Sequence, residues 1–219
     1  MKDLIPATIR SRLRRQRRNY RFARAMKSFV KSPDPKWIPD LIDGWNNRRW
    51  SALDEYLSAC IIEAQSAKGD ILECGSGLST LLIGAIAQRT GKTVWTLEHN
   101  DLWASRLREH LDRYHIKSVT LSCAPLLDYG DYQWYAPPPN MPERFALAIC
   151  DGPPGTTKGG RYGLTPIMGE RLAGCIILLD DAEREEEQVI AKRWSSELGA
   201  EYATRGAEKP FIRLHVPPQ

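Results

Sequence analysis

The chain has 219 residues, 42% apolar and 26% charged, which is the balance of a globular domain with a sizeable buried core. No apolar run approaches the ~18–20 residues of a membrane-spanning helix, and the start lacks the apolar block of a secretory signal. The net charge of +4 hides an asymmetry: residues 1–31 hold eight Arg and three Lys against one Asp, a local +10, and the other 188 residues carry −6.

Residues 1–36 therefore read as a basic arm and linker. Apolar residues from Ile9 to Val30, among them Leu13, Tyr20, Phe22, Met26 and Phe29, fall loosely on one helical face among the arginines. Such a helix suits an anionic membrane surface, through residues 9–31, or a partner; nucleic acid is the other polyanion it would fit. Ser32-Pro33-Asp34-Pro35 breaks it, because proline lacks the backbone donor a helix needs. Residues 37–68, with Trp37, Trp45 and Trp50 and a helix from about Ser51 to Ala67, are expected to form a helical layer over one edge of the main domain.

From residue 69 to 219 the pattern becomes regular. Strand-like runs at 70–74, 93–98, 118–123, 145–150 and 175–179 alternate with helical spacings such as Trp103, Leu107, Leu111, Tyr114 and Ile190, Trp194, Leu198. Strands apolar on both faces, alternating with helices, mean a parallel sheet covered on both sides. Two last runs, near 201–205 and 211–216, are separated by Gly206 and Pro210 and suit an antiparallel hairpin at a sheet edge. The five cysteines are an odd number without paired spacing. Four sit in or beside apolar runs, so they read as buried small hydrophobes, and a reducing, cytoplasmic setting is expected.

The first strand ends in Glu73-Cys74-Gly75-Ser76-Gly77, directly before an apolar helix. Glycines there let the backbone turn and approach a ligand, and the helix start offers free amides. Twenty-one residues past Gly77 the second strand ends in Glu98, an acid placed to accept from both ribose hydroxyls of a nucleoside ligand. A nicotinamide dinucleotide wants a similar arrangement, but its third glycine is Thr80 here, and Glu73 would be a poor neighbour for a pyrophosphate. A ligand with a cationic amine and a ribose fits better.

Glu-Cys-Gly-Ser-Gly, Glu98-His99, Asp151-Gly152-Pro153-Pro154-Gly155 and Leu179-Asp180-Asp181-Ala182 together resemble successive motifs of class I S-adenosylmethionine-dependent methyltransferases, most of all a small bacterial group with Asp-Gly-Pro and Leu-Asp-Asp-Ala at the fourth and fifth strand ends. The resemblance covers about residues 69–200. It implies a Rossmann-like α/β fold with a mostly parallel seven-stranded sheet, and a donor held by Glu73, Gly75, Ser76, Gly77, Glu98, His99 and Asp151, its adenine near Pro125. It also implies methyl transfer to a small-molecule acceptor, most simply a hydroxyl of sugar or natural-product type.

Asp151, Asp180 and Asp181 end neighbouring strands on one rim, where like charges repel unless paired or bound to a cation. The trio is similar to the metal-binding acids of cation-dependent O-methyltransferases, and a Mg²⁺ ion is the expectation it raises. The competing expectation is that Asp181 caps the following helix and that Lys158, Arg161 or Arg184 neutralises the others. Those relatives often carry an acid as base just after the first metal aspartate; Gly152-Pro153-Pro154 stands there instead, leaving Asp151, Lys158 and His99 as catalytic candidates. The stretches 126–142 and 152–168 read as loops, and the glycine-rich basic part 156–165 suits a lid. Three other classes fit less well: an RNA methyltransferase using the arm, an NAD-dependent oxidoreductase, and a non-catalytic membrane- or partner-binding module. A homo-oligomer is compatible with all of them.

Overall fold

A computed structural model describes residues 7–46 and 52–218. The chain runs α1 (Ala7–Lys31), a 3₁₀ turn (Pro35–Trp37), α2 (Ile38–Trp45), α3 (Asp54–Ser66), β1 (Ile71–Cys74), α4 (Leu78–Thr90), β2 (Val94–Glu98), α5 (Asp101–Arg113) and β3 (Val119–Cys123). It continues through β4 (Leu126–Asp128), β5 (Gln133–Tyr135), β6 (Leu147–Cys150), α6 (Leu164–Met168), β7 (Ile176–Leu179), α7 (Glu185–Leu198), β8 (Glu201–Arg205) and β9 (Phe211–His215). Seven strands form one sheet in the order β3-β2-β1-β6-β7-β9-β8. The first five are parallel, and β9 pairs antiparallel with both β7 and β8, closing the edge with the expected hairpin. This is the Rossmann-like α/β fold.

Successive side chains of a strand point to opposite faces, and the central strands bury both. Leu147 and Ile149 join the apolar cluster of α1–α5, while Ala148 and Cys150 join that of α6 and α7 on the other face. β1 and β6 are wholly buried, and apart from Glu73 their residues are apolar. The edge strands β3 and β8 stay half-buried or exposed.

Two expectations change. The packing crosses the boundary expected at residue 36. Phe22, Ala25, Met26 and Phe29 fall on one face of α1 and are buried with Leu41 of α2 and Leu81 and Leu82 of α4, so the second half of the basic helix belongs to the core. Arg21 is paired with Asp40 and stands 3.6 Å from Asp43 of α2. The helix of the second layer begins at Asp54; the expected start at Ser51, and Trp50, lie outside the described residues. The stretch 126–142, expected as an irregular loop, contains the β4–β5 hairpin, which places Trp134 and Tyr135 in the core. All five cysteines are free thiols, four of them buried.

Candidate active site

The strand order reverses between β1 and β6. A parallel sheet opens a crevice beyond its carboxyl ends at such a point. Here the turns after the two strands meet. Gly75 has φ +83°, and a Cβ built on it would lie 2.8 Å from the Gly152 nitrogen; one on Gly152 would lie 2.8 Å from Gly75 Cα and 2.5 Å from the Tyr135 hydroxyl. The amides of Asp151 and Gly152 both donate to the Cys74 carbonyl, at 3.0 and 2.8 Å, which locks the two turns together. Only glycine fits both positions without strain. Gly77 differs: its backbone is extended, and a Cβ there would meet nothing within 4 Å. Its amide donates instead to Thr80 Oγ1 at 2.9 Å, so the threonine standing where a dinucleotide fold has its third glycine satisfies an open helix end.

A cavity of about 500 Å³ opens on this junction. That size suits a small-molecule ligand. The structure brings Gly75, Ser76, Glu98, His99, Asp151 and Asp181 of the expected residues together on its wall. Glu98 is nearly buried. Its Oε2 accepts from the Ser76 hydroxyl at 2.7 Å and the Ser76 amide at 3.2 Å, and its Oε1 accepts from the Asn100 amide at 2.8 Å. His99 Nδ1 lies 3.3 Å from Glu98 Oε1, and the imidazole remains partly exposed. Trp103 donates to the Ser76 carbonyl at 2.7 Å and fixes the glycine turn from the α5 side.

Others stand apart. Glu73 is fully buried and accepts from Ser79 Oγ at 2.7 Å and Thr96 Oγ1 at 2.9 Å. Burial pushes its carboxyl up to about 7 against the pull of those hydroxyls, and it reaches the cavity only through Ser79. Ser79 thus stands between the Glu73 carboxylate and the cavity. Pro125 is exposed and does not line the cavity, nor does Lys158, whose ammonium sits 3.7 Å from Asp128 on the surface. The loop 156–165 is not a free lid. Lys158 O accepts from Gln133 N, Tyr162 OH donates to Glu197 at 2.8 Å, and Gly163 packs against Trp134.

Ligand-type oxygens of Asp151, Asp180 and Asp181 lie within 4.8 Å of one another, as a metal site requires. The cluster is filled by cations of the protein itself. Arg161, 3% exposed, donates to the backbone carbonyls of Asp151 and Asp180 at 3.0 and 2.8 Å, to Asp151 Oδ1 at 3.2 Å and to Asp181 Oδ2 at 2.6 Å. Lys209 Nζ lies 2.9 Å from Asp180 Oδ2 and 2.7 Å from Asp181 Oδ1, and Arg184 lies 3.0 Å from Asp181. With Glu187, 3.7 Å from both Arg161 and Arg184, four carboxylates face three cations, and a divalent ion would have to displace those cations. In this arrangement the acids are paired with the chain's own cations and are not open to Mg²⁺. Asp181 also fails as a helix cap: its φ of +61° turns the chain, and its carboxylate serves the ion pairs.

The acids divide by environment. Burial would raise Asp181, but Arg161 and Lys209 outweigh it and hold its carboxyl low. Burial raises Asp180 against Lys209. Asp151, the one acid of the three with an open edge (30% exposed), is pushed up to about 7 by the burial of its surroundings; Arg161 opposes the shift and Asp180 and Asp181 reinforce it. Tyr135 lies against Gly152, next to Asp151. It lines the cavity, its hydroxyl has no hydrogen-bond partner, and burial raises its phenol well above the ordinary value. Sequence reasoning missed Tyr135 and Lys209, which only the two hairpins bring in, and weighed Arg161 only as a neutralising charge.

No protein-family model matches the chain, and no curated protein matches it in sequence. Solved structures do. The SAH-bound methyltransferase PaMTH1 of Podospora anserina is similar over 99% of both chains, with a TM-score of 0.57 and 16% identity. A caffeoyl-CoA O-methyltransferase candidate from Staphylococcus aureus matches over 83% of this chain and 98% of its own, with a TM-score of 0.59 and 13% identity. Precorrin-6y C5,15-methyltransferase of Geobacter metallireducens matches over 78% and 96%, with 0.52 and 11%. The fold is that of class I methyltransferases.

Proposed function

We propose that the chain transfers a methyl group from S-adenosylmethionine to a small acceptor bearing an acidic hydroxyl, without a divalent ion. The observation that carries this reading is the placement of Glu98 and Asp151 on opposite sides of one switch-point cavity, joined by the Gly75–Gly152 contact. When bound, the donor supplies an electrophilic methyl on a sulfonium; the methyl–sulfur bond breaks with its electron pair returning to sulfur as the methyl–oxygen bond forms.

The chain's residues do the rest. Glu98 would accept from a ribose diol in place of the Ser76 hydroxyl it holds now, one neutral donor exchanged for another. The Gly75–Ser76 turn lets backbone approach the ligand, and Ser79 relays Glu73. Asp151 would take the acceptor proton. A carboxylate whose pKa is about 7 removes a proton from a phenol, near 10, at moderate cost; an aliphatic alcohol with no metal to acidify it, nearer the ~15.7 of water, lies far uphill. Phenolic or similarly acidic hydroxyls are therefore favoured over sugar hydroxyls. Alignment of acceptor and methyl supplies most of the remaining acceleration. Calorimetric titration with S-adenosylmethionine and S-adenosylhomocysteine tests the donor, and a panel of phenols and sugars tests the acceptor. Absence of heat with both sulfur nucleosides would sink the reading; methylation of sugars alone would overturn the acceptor class.

A further inference from the structure

Helix α1 carries two apolar faces rather than the one expected, and among the described residues only one of them packs into the core. Phe22, Ala25, Met26 and Phe29 are buried, and with Arg21 tied to Asp40 they fix how the helix is turned. At ~100° per residue, Ile9, Leu13 and Tyr20 form a second stripe nearly opposite that face. They are 48, 51 and 69% exposed. Arg10, Arg12, Arg17 and Arg24 flank the stripe, Lys27 continues it, and no acidic residue occurs between residues 4 and 31.

We propose that this outer face of α1 lies on an anionic lipid surface. Charge complementarity selects an anion, and the apolar stripe selects among anions. Phosphate backbones attract arginines but give nothing to exposed Ile9 and Leu13, whereas the headgroup boundary of a bilayer takes up both, with tyrosine at the interface and arginine stems reaching outward. The buried half of the helix holds the face rigidly to the domain. Phe22 stands 6.1 Å from Trp45, and Trp45 stands 5.8 Å from Trp103, which lines the active-site cavity. A lipid-bound α1 would thus hold the cavity rim close to the bilayer. The proposal is independent of the donor and of the reaction.

The test uses the full chain, a charge-neutral Leu13→Ser/Tyr20→Ser variant and an Arg12→Gln/Arg17→Gln variant. Flotation is measured with phosphatidylcholine vesicles with and without phosphatidylglycerol, at low and high salt, and single-stranded RNA binding is measured in parallel. The full chain should bind only the vesicles containing phosphatidylglycerol, less so in high salt. Each variant should lose about tenfold or more in vesicle affinity with its thermal transition unchanged, and the serine variant should bind RNA as the native chain does. No vesicle binding by the native chain, or native-like vesicle binding by the serine variant, overturns the proposal. So does a stripe-dependent dimer in ultracentrifugation that accounts for the loss.

Discussion

The two ends of the cavity hold their carboxylates by different means. Around Glu98 every donor is uncharged: the Ser76 hydroxyl and the amides of Ser76 and Asn100. Around Asp180 and Asp181 the donors are cations, Lys209, Arg161 and Arg184. A neutral donor can be exchanged for a ligand hydroxyl with no change in charge. A buried guanidinium cannot, because its departure leaves charges unpaired at low dielectric. One end is thus built to trade partners and the other to stay fixed, with Asp151 at the seam, anchored by Arg161 yet open to the cavity on one edge.

The largest effect should come from that seam. Asp151→Asn keeps the size and the contact with Arg161 but removes the base, and turnover should fall by ~10²–10⁴ with donor affinity nearly kept. The native protein should also show the sign of the raised carboxyl. Only the ionised form accepts a proton, so turnover should climb as pH rises through about 7 and level above it. A profile already flat from pH 5 to 8 would mean that Asp151 is not the base. Arg161→Leu breaks the fixed end outright. It strands acids near the ends of β6 and β7 and should destabilise the fold by about 3–5 kcal/mol, measured by denaturant unfolding. Arg184→Leu removes a half-exposed partner of the same Asp181 and should cost under ~1 kcal/mol. Equal costs would erase the distinction between buried and rim cations.

At the exchangeable end, Glu98→Ala should weaken S-adenosylmethionine binding by about 1.5–3 kcal/mol in calorimetry, the range for hydrogen bonds to a charged group, with little change in the fold. Unchanged affinity would remove Glu98 from the donor site. Tyr135→Phe is subtler. Its hydroxyl is buried without a partner in the free protein, so its loss should leave the thermal transition the same or higher, while ligand affinity falls by about 0.5–1.5 kcal/mol if a bound molecule takes up that hydroxyl. Stabilisation with undiminished ligand affinity would make Tyr135 a packing residue.

The central strands were legible because both-face burial writes itself as apolar runs, and the half-buried or exposed edge strands β3 and β8 also lie where strand-like runs fall. The Glu98 end of the cavity was legible for a related reason: a turn needing glycine at Gly75 and an acid at a strand end are local signals. The Asp151 end was not. Asp151, Asp180 and Asp181 announce a concentration of charge, but what neutralises it depends on chain returning from far away. Lys209 arrives by the β8–β9 turn and Tyr135 by β5, and neither position carries a motif. In α1 the arginines masked Phe22, Met26 and Phe29, since net charge sums over the whole helix while burial depends on one face. Gly77 shows the converse: it sits in a glycine motif, yet nothing crowds it.

The smallest expected effect is the most exposed to contradiction. Spacing alone makes Asp151, Asp180 and Asp181 a metal site, their oxygens within 4.8 Å of one another. Charge decides otherwise. For a divalent ion to enter, Arg161 would have to leave two backbone carbonyls and two carboxylates, and Lys209 two carboxylates more. Those cations would then be left beside the ion in a buried site, at the cost that deters buried unpaired charges generally. Excess chelator should therefore leave turnover unchanged, and Mg²⁺ or Mn²⁺ titrated into the free protein should give no saturable heat. The same titration on Arg161→Lys/Lys209→Met sharpens the point. Opening the cluster while keeping two cations, at positions 161 and 184, should let Mn²⁺ bind, because three acids then outnumber their partners. Chelator-sensitive activity in the native chain would mean that the cation cage opens in solution, and that the two ends of the cavity are less different than their donors suggest.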